Sequence, residues 1–132
     1  MRVVADSHAI VWYVQGSSRL SASAEAALSE AERTDGIVVS VASLIDLWYV
    51  TQTTSGVTAR DLATLRTALE SSPRVALQAI DINIADAFTA IPRSALGDPW
   101  DRLIVATAQT LRLPLITRDG AIQKAALVTT IW

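Results

Sequence analysis

The chain has 132 residues, of which 51% are hydrophobic and 18% are charged, and its formal net charge at pH 7 is −2. These values fit one globular domain spanning residues 1–132, and they exclude a disordered polar tail and a protein that holds nucleic acid by bulk positive charge. The absence of cysteine excludes disulfides, zinc–thiolate sites and cysteine nucleophiles, and a single histidine, His8, excludes a multi-histidine metal site.

The first half of the chain alternates short apolar runs with helix-forming segments. Two buried strands are predicted there, at 3–5 and 37–39. Three helices are predicted, at 8–14, 21–33 and about 41–53. The second of these helices is rich in alanine and glutamate, and Ser21 is placed to act as its N-cap.

The second half of the chain continues the same alternation. Helices are predicted at 59–71, with Thr58 as the cap, and at 82–90, 99–111 and 121–126. Strands are predicted at 75–77 with 79–80, at 115–117 and at 128–131. Short apolar strands that alternate with helices favour an α/β fold, in which a parallel sheet of four or five strands is covered by helices on both faces.

Five aspartates do not follow the pattern of a solvated helix surface. Asp6 directly follows the first strand, and Asp119 follows the fourth. Asp98 and Asp101 lie at the start of the helix that precedes the fourth strand, whereas Asp46 lies in the most apolar helix. Ligands of open parallel sheets bind at the carboxyl ends of the strands, where Asp6 and Asp119 are expected. Because converging carboxylates repel one another, the cluster favours a hard cation such as Mg²⁺ or Mn²⁺ and metal-assisted phosphoryl chemistry.

Each of these aspartates also has a structural interpretation. Asp6 and Asp98 are placed to cap helices, Asp101 lies in a first turn where it complements the helix dipole, and Asp119 begins an Asp-Gly turn. Asp46 fits this explanation least, because a carboxylate among leucine, isoleucine and tryptophan is costly unless it is paired or faces solvent. Taken together at the strand ends of one sheet, the aspartates favour a site.

Hydroxyl groups lie close to these acids in the sequence. Ser7 and Thr117 flank the predicted acidic site, and Ser43 precedes Asp46 by three residues, on a neighbouring position of the helix. These hydroxyls would orient a carboxylate or a water molecule, or they would only cap helices. The single histidine, His8, is interpreted as a structural hydrogen-bonding residue rather than as a catalyst.

The chain resembles the PIN-domain ribonucleases, and most closely the VapC-type toxins of bacterial toxin–antitoxin pairs. Three segments carry the resemblance: Val-Val-Ala-Asp-Ser-His-Ala at 3–9, Gly-Asp-Pro-Trp-Asp-Arg-Leu-Ile-Val-Ala-Thr-Ala at 97–108, and Pro-Leu-Ile-Thr-Arg-Asp at 114–119. The middle segment is the most specific of the three. Their order and spacing agree with the family over essentially the whole chain.

The resemblance implies a single Rossmann-like PIN domain and Mg²⁺- or Mn²⁺-dependent cleavage of RNA. It assigns the metal-binding and catalytic roles to Asp6, Asp46, Asp101 and Asp119. Asp98 matches an aspartate that is common in this subgroup and that caps a helix, supports the metal ligands, or does both. The family usually has glutamate where this chain has Asp46, so the acidity is kept while the side chain is about one methylene shorter.

The resemblance also implies partners. These are an RNA substrate, a cognate antitoxin protein and a second copy of the chain in a homodimer. Four arginines flank the matching segments and are candidates for contacts with RNA phosphates or with the antitoxin: Arg93, Arg102, Arg112 and Arg118. No signal peptide and no apolar run long enough to cross a membrane is found in the sequence, so a cytoplasmic protein without a membrane role is expected.

Two other classes of function compete with the ribonuclease toxin. The first is a weakly catalytic or non-catalytic PIN-like module that acts by binding RNA or antitoxin, because Asp46 replaces the usual glutamate. The second is a phosphoacceptor domain of the receiver type, which is also small and acidic at its strand ends. Asp81 fits the phosphoacceptor position poorly, and Lys124 lies in the last predicted helix rather than after a strand.

Overall fold

A computed structural model describes residues 1–53 and 56–132. Among these residues it contains five strands, β1 (Val3–Ala5), β2 (Ile37–Ser40), β3 (Val75–Gln78), β4 (Leu115–Ile116) and β5 (Thr130–Ile131). Seven helices lie in the same described part of the chain, α1 (Ser7–Gln15), α2 (Ala22–Arg33), α3 (Val41–Thr51), α4 (Ala59–Ser71), α5 (Ile82–Ala90), α6 (Pro99–Leu111) and α7 (Gly120–Ala125).

All five strands pair in parallel, in the order β3-β2-β1-β4-β5. The chain runs outward from β1 through β2 to β3, and it then returns to the other side of β1 with β4 and β5. The sheet therefore reverses its direction of growth between β1 and β4, which is where open parallel sheets place their ligands. The predicted parallel α/β sheet is confirmed, with five strands.

Two apolar layers cover the two faces of the sheet. Val3 and Ala5 face one layer and Val4 faces the other, since successive side chains of a strand point to opposite sides. The first layer is built mainly on α1, α2 and α4, and the second mainly on α5 and α6. Because both faces are covered, the three central strands β2, β1 and β4 are buried throughout and mostly apolar rather than alternating, whereas the edge strands β3 and β5 are partly exposed.

The helix starts follow from local hydrogen bonds that the sequence predicts. Ser21 caps α2 and Thr58 caps α4, each by accepting a hydrogen bond from the amide three residues later. Asp98 caps α6, whose first residue is Pro99, as predicted from the sequence. In α4, Asp61 also accepts a hydrogen bond from the Thr58 amide, which completes a capping box.

The ends of four strands differ from the sequence prediction by one or two residues, whereas β1 agrees with it. The third strand ends at Gln78, because its partner β2 ends at Ser40, which already caps α3. Ala79 and Ile80 were predicted to continue the strand and do not. The last two strands pair over two residues each, so β5 is shorter than the predicted 128–131. In the described part of the chain, no helix has the length and hydropathy needed to cross a membrane.

Candidate active site

A pocket of about 330 Å³ lies at the carboxyl ends of β1 and β4. Four carboxylates from four separate segments line this pocket, those of Asp6, Asp46, Asp101 and Asp119. The remaining lining residues are Ser7, His8, Trp12, Ile104 and Arg118. The structure thus brings together the four aspartates that the resemblance assigns to the metal, although 113 positions separate the first from the last in the sequence.

Asp6 is the most deeply buried acid of the pocket, with 8% of its surface exposed. It follows β1 directly and caps α1 by accepting a hydrogen bond of 2.9 Å from the Ala9 amide. Burial raises the pKa of Asp6 to about 6, because loss of water destabilises the charged form more than the hydrogen bonds from Thr117 and Ala9 stabilise it. The same carboxylate therefore caps α1 and lines the pocket.

Asp119 enters the pocket from the neighbouring strand. It caps α7 by accepting a hydrogen bond of 2.9 Å from the Ile122 amide, and its own amide donates to the hydroxyl of Thr117 at 3.0 Å. Thr117 is fully buried, and it also hydrogen-bonds Asp6. Thr117 therefore links the acids that follow β1 and β4, in agreement with its predicted position beside the site.

Asp101 lies in the first turn of α6 and is half-buried. Its pKa is raised to about 7, first by burial and then by the negative charges of four carboxylates, those of Asp98, Asp119, Asp46 and Asp6. Asp98 itself is exposed, accepts hydrogen bonds from the amides of Trp100 and Asp101, and is not among the residues that line the pocket. Asp98 is therefore a helix cap that also adds negative charge near Asp101.

Asp46 projects from α3, and Ser7 holds it. The Ser7 hydroxyl donates a hydrogen bond of 2.7 Å to the Asp46 carboxylate, across 39 positions of sequence. Ser43, on the same helix as Asp46, is instead fully buried, and its Oγ has no hydrogen-bond partner among the described residues. Of the two serines predicted to support the acids, Ser7 contacts Asp46, whereas Ser43 makes no hydrogen bond to it.

The donor set of the pocket suits a hard divalent cation. Its four carboxylates supply oxygen ligands, which Mg²⁺ and Mn²⁺ prefer. No lysine or arginine in residues 1–53 and 56–132 forms an ion pair with any of them, so no ion pair within this part of the chain neutralises their charge. Within the same described residues, no three acidic or histidine side chains already surround a common ion position.

The four candidate arginines occupy different parts of the molecule. Arg118 lines the acidic pocket. The guanidinium of Arg102 lies 4.7 Å from the ring centroid of Phe88, and its buried Nε has no partner among the described residues. Arg112 ends α6 and lines a separate cavity near Pro114, and Arg93 is exposed on a loop. The structure therefore brings one of these four predicted contact residues into the site.

Two aromatic residues of the pocket were not identified as site residues from the sequence. His8 and Trp12 are one helical turn apart on α1, with ring centroids 5.4 Å apart. The sequence contained one sign of this arrangement. His8 and Trp12 come soon after Asp6 and are four positions apart, which places both rings on the same side of α1. The phosphoacceptor hypothesis gains no support, since Asp81 is an exposed cap of α5 and is not among the pocket residues.

Comparison with known proteins places the chain in a family. The family model described as PIN domain matches residues 3–127 of the chain. Ribonuclease VapC22 from Mycobacterium tuberculosis is 31% identical to the chain over 133 residues, which cover 98% of each protein. The match therefore includes the whole pocket, from Asp6 to Asp119.

Solved structures share the fold at lower sequence identity. VapBC2 from Rickettsia felis, bound to a fragment of its promoter DNA, matches with a TM-score of 0.70 at 15% identity, and the match covers 98% of this chain and 97% of that one. A toxin–antitoxin complex from Klebsiella pneumoniae matches with a TM-score of 0.66 at 21% identity, covering 97% and 96% of the two chains. At these identities the matches establish the fold alone.

Proposed function

The chain belongs to the PIN-domain family and is related to the VapC ribonucleases, and from this premise we propose that it is a metal-dependent endoribonuclease that acts as the toxin of a toxin–antitoxin pair. The observation that carries the proposal is the pocket of four carboxylates without a basic ion-pair partner in the described part of the chain. Such a pocket is costly to assemble unless a cation occupies it.

We propose that Asp6, Asp46, Asp101 and Asp119 hold the cation. When bound, Mg²⁺ or Mn²⁺ supplies Lewis-acid chemistry at the phosphodiester and lowers the pKa of water. The residues of the chain orient the carboxylate oxygens that bind the cation, and each of these carboxylates must lose its proton before it can bind. The raised pKa values of Asp6, about 6, and Asp101, about 7, mean that a cation competes with protons for these two carboxylates near neutral pH.

Ser7 and Thr117 act as orienting residues in this proposal. Ser7 donates to Asp46, and Thr117 connects Asp6 with the amide of Asp119. Outer hydrogen bonds of this kind fix the direction of the ligand oxygens before a cation arrives, which strengthens metal binding. The shorter Asp46 is thus held at a fixed position by Ser7.

We further propose that residues 1–132 act as one domain in the cytoplasm, with an antitoxin protein and a second copy of the chain as partners. The solved structures of similar fold include VapBC and other toxin–antitoxin complexes. The chain also exposes apolar side chains on α3, where Trp48 and Tyr49 are each 51% accessible. Exposed aromatic residues next to a groove are typical of protein interfaces.

The experiment that tests the ribonuclease is cleavage of RNA by the purified chain with Mg²⁺ or Mn²⁺, with EDTA, and after the substitution Asp101→Asn. Cleavage should require the cation and should disappear in the variant. Asp86→Asn is the matched control, because Asp86 is exposed on α5 and is not among the residues that line the pocket. Cleavage that survives both EDTA and Asp101→Asn would contradict the proposal.

The alternative function is a weakly catalytic module that binds RNA or antitoxin. It is favoured by one observation, that Asp46 is shorter than the glutamate usual in the family and already accepts a hydrogen bond from Ser7. The substitution Asp46→Glu separates the two functions. A large gain in cleavage would support the weakened module, whereas unchanged or reduced cleavage would support an enzyme adapted to aspartate.

A further inference from the structure

The acidic pocket carries one guanidinium group. The chain has eleven lysines and arginines, and Arg118 is the one among the described residues that lines the pocket. Its guanidinium lies within 4.0 Å of no carboxylate in residues 1–53 and 56–132, although it is next in sequence to Asp119. Arg118 is exposed, so its N–H groups are accessible from solvent at the pocket.

A buried indole supports this arginine. The guanidinium carbon of Arg118 lies 5.7 Å from the ring centroid of Trp12, at cation–π distance. Trp12 is 8% exposed and is held between His8 and Trp132, with ring centroids 5.4 and 5.9 Å away. Trp12 therefore restricts the position of Arg118 without neutralising its charge, which leaves the planar group ready to bind an anion.

The chemistry of the group identifies the anion. A guanidinium presents paired N–H donors that match the oxygens of a phosphate. The four carboxylates repel a phosphate unless a cation is present, and they would share that cation with the phosphate that is cleaved. Arg118 is exposed and lines the pocket, whereas Asp6 lines the same pocket and is buried, so a phosphate bound by Arg118 would lie nearer to solvent than one that faces Asp6.

We infer that Arg118, held over Trp12, binds the RNA phosphate next to the one that is cleaved. The inference rests on the proposed ribonuclease function and specifies its substrate class, which is an oligonucleotide with at least two phosphates. Trp12 is a positioning residue in this arrangement, because it acts through Arg118. Arg118 therefore selects chain length rather than base sequence, since phosphates are the same at every position.

Short substrates test this inference directly. Two mixed-sequence pools are compared, dinucleotides with one phosphate and trinucleotides with two. Arg118→Gln should lower kcat/KM for the two-phosphate pool by about 10- to 100-fold, the range expected for a charged hydrogen bond, and leave the one-phosphate pool within about 2-fold. Arg118→Lys should restore part of the loss because it keeps the charge. Arg33→Gln, an exposed charge change at the end of α2, is the matched control and should change neither pool.

Equal losses on both pools would overturn the inference, because Arg118 would then act at the cleaved phosphate, and so would the absence of any loss. A binding measurement separates this failure from failure of the proposed nuclease. This measurement uses the Asp101→Asn variant, with and without Arg118→Gln, and single-stranded RNA. The slope of log affinity against log salt concentration should become less negative by about 0.7 after Arg118→Gln. An unchanged slope would overturn the inference even where cleavage is established, whereas a wild-type chain that cleaves no RNA would overturn both proposals.

Discussion

Replacing Asp6 by asparagine should stabilise the metal-free protein although it removes a residue of the proposed site. Asparagine keeps the carbonyl oxygen that accepts the hydrogen bond from the Ala9 amide, and it is as good an N-cap as aspartate. What the substitution removes is a negative charge on a side chain that is 8% exposed. The protein without metal should therefore gain stability, while its stabilisation by Mg²⁺ should be lost.

The size of the gain follows from the pKa. In the folded protein the pKa of Asp6 is raised from 3.8 to about 6. Since one pH unit corresponds to about 1.4 kcal/mol, the ionised carboxylate costs about 3 kcal/mol of folding free energy at pH 8. The pKa of Asp6 is higher in the folded protein than in the unfolded chain. The stability that protonated Asp6 contributes is therefore fully present below pH 3.8 and is lost as the pH rises through 6. Roughly half of this loss falls between pH 5 and 8.

The assay is urea unfolding followed by tryptophan fluorescence, in EDTA, at pH 5 and at pH 8. Asp6→Asn should be more stable than the wild type at pH 8, by about 1 to 3 kcal/mol, and its advantage should be smaller at pH 5. Asp86→Asn, at an exposed position, should show no such change with pH. A variant less stable than the wild type at pH 8, or an advantage that does not grow with pH, would refute the reasoning.

Three further predictions concern the backbone, the core and the ligand support. Gly36→Ala should lower the free energy of unfolding by about 1 to 3 kcal/mol, measured by urea titration, because Gly36 has φ +101° and a Cβ there would lie 2.9 Å from the Arg74 carbonyl oxygen. Leu28→Ala should cost about 2 to 5 kcal/mol in the same assay, because Leu28 is fully buried in the core. Leu77→Ala, at a side chain that is 44% exposed, is its control and should cost clearly less. Ser7→Ala should raise the Mg²⁺ concentration needed for half-maximal cleavage by about 10-fold or more, since Asp46 loses its hydrogen-bond donor. An unchanged Mg²⁺ requirement would show that Ser7 does not orient a ligand.

The sequence by itself determined the order of the elements and the starts of several helices. Caps such as Ser21, Thr58 and Asp98 involve atoms two or three residues apart, so their hydrogen bonds can be predicted without the fold. The buried strands could be predicted because a sheet covered on both faces needs continuous apolar residues. The resemblance over three segments then placed the chain in a family, which the match over residues 3–127 confirms.

The tertiary structure decided everything that depends on contacts between distant segments. The third strand stops at Gln78 because its neighbour β2 stops at Ser40, and no local pattern contains that information. Ser7 reaches Asp46 across 39 positions, whereas Ser43, which is closer in sequence, is buried without a hydrogen-bond partner among the described residues. Arg118 is distinguished from the other candidate arginines only because the sheet order sets β4 beside β1, and so brings Arg118 over Trp12. Sequence patterns report local hydrogen bonding and burial, whereas the composition of a pocket depends on which strand ends become neighbours.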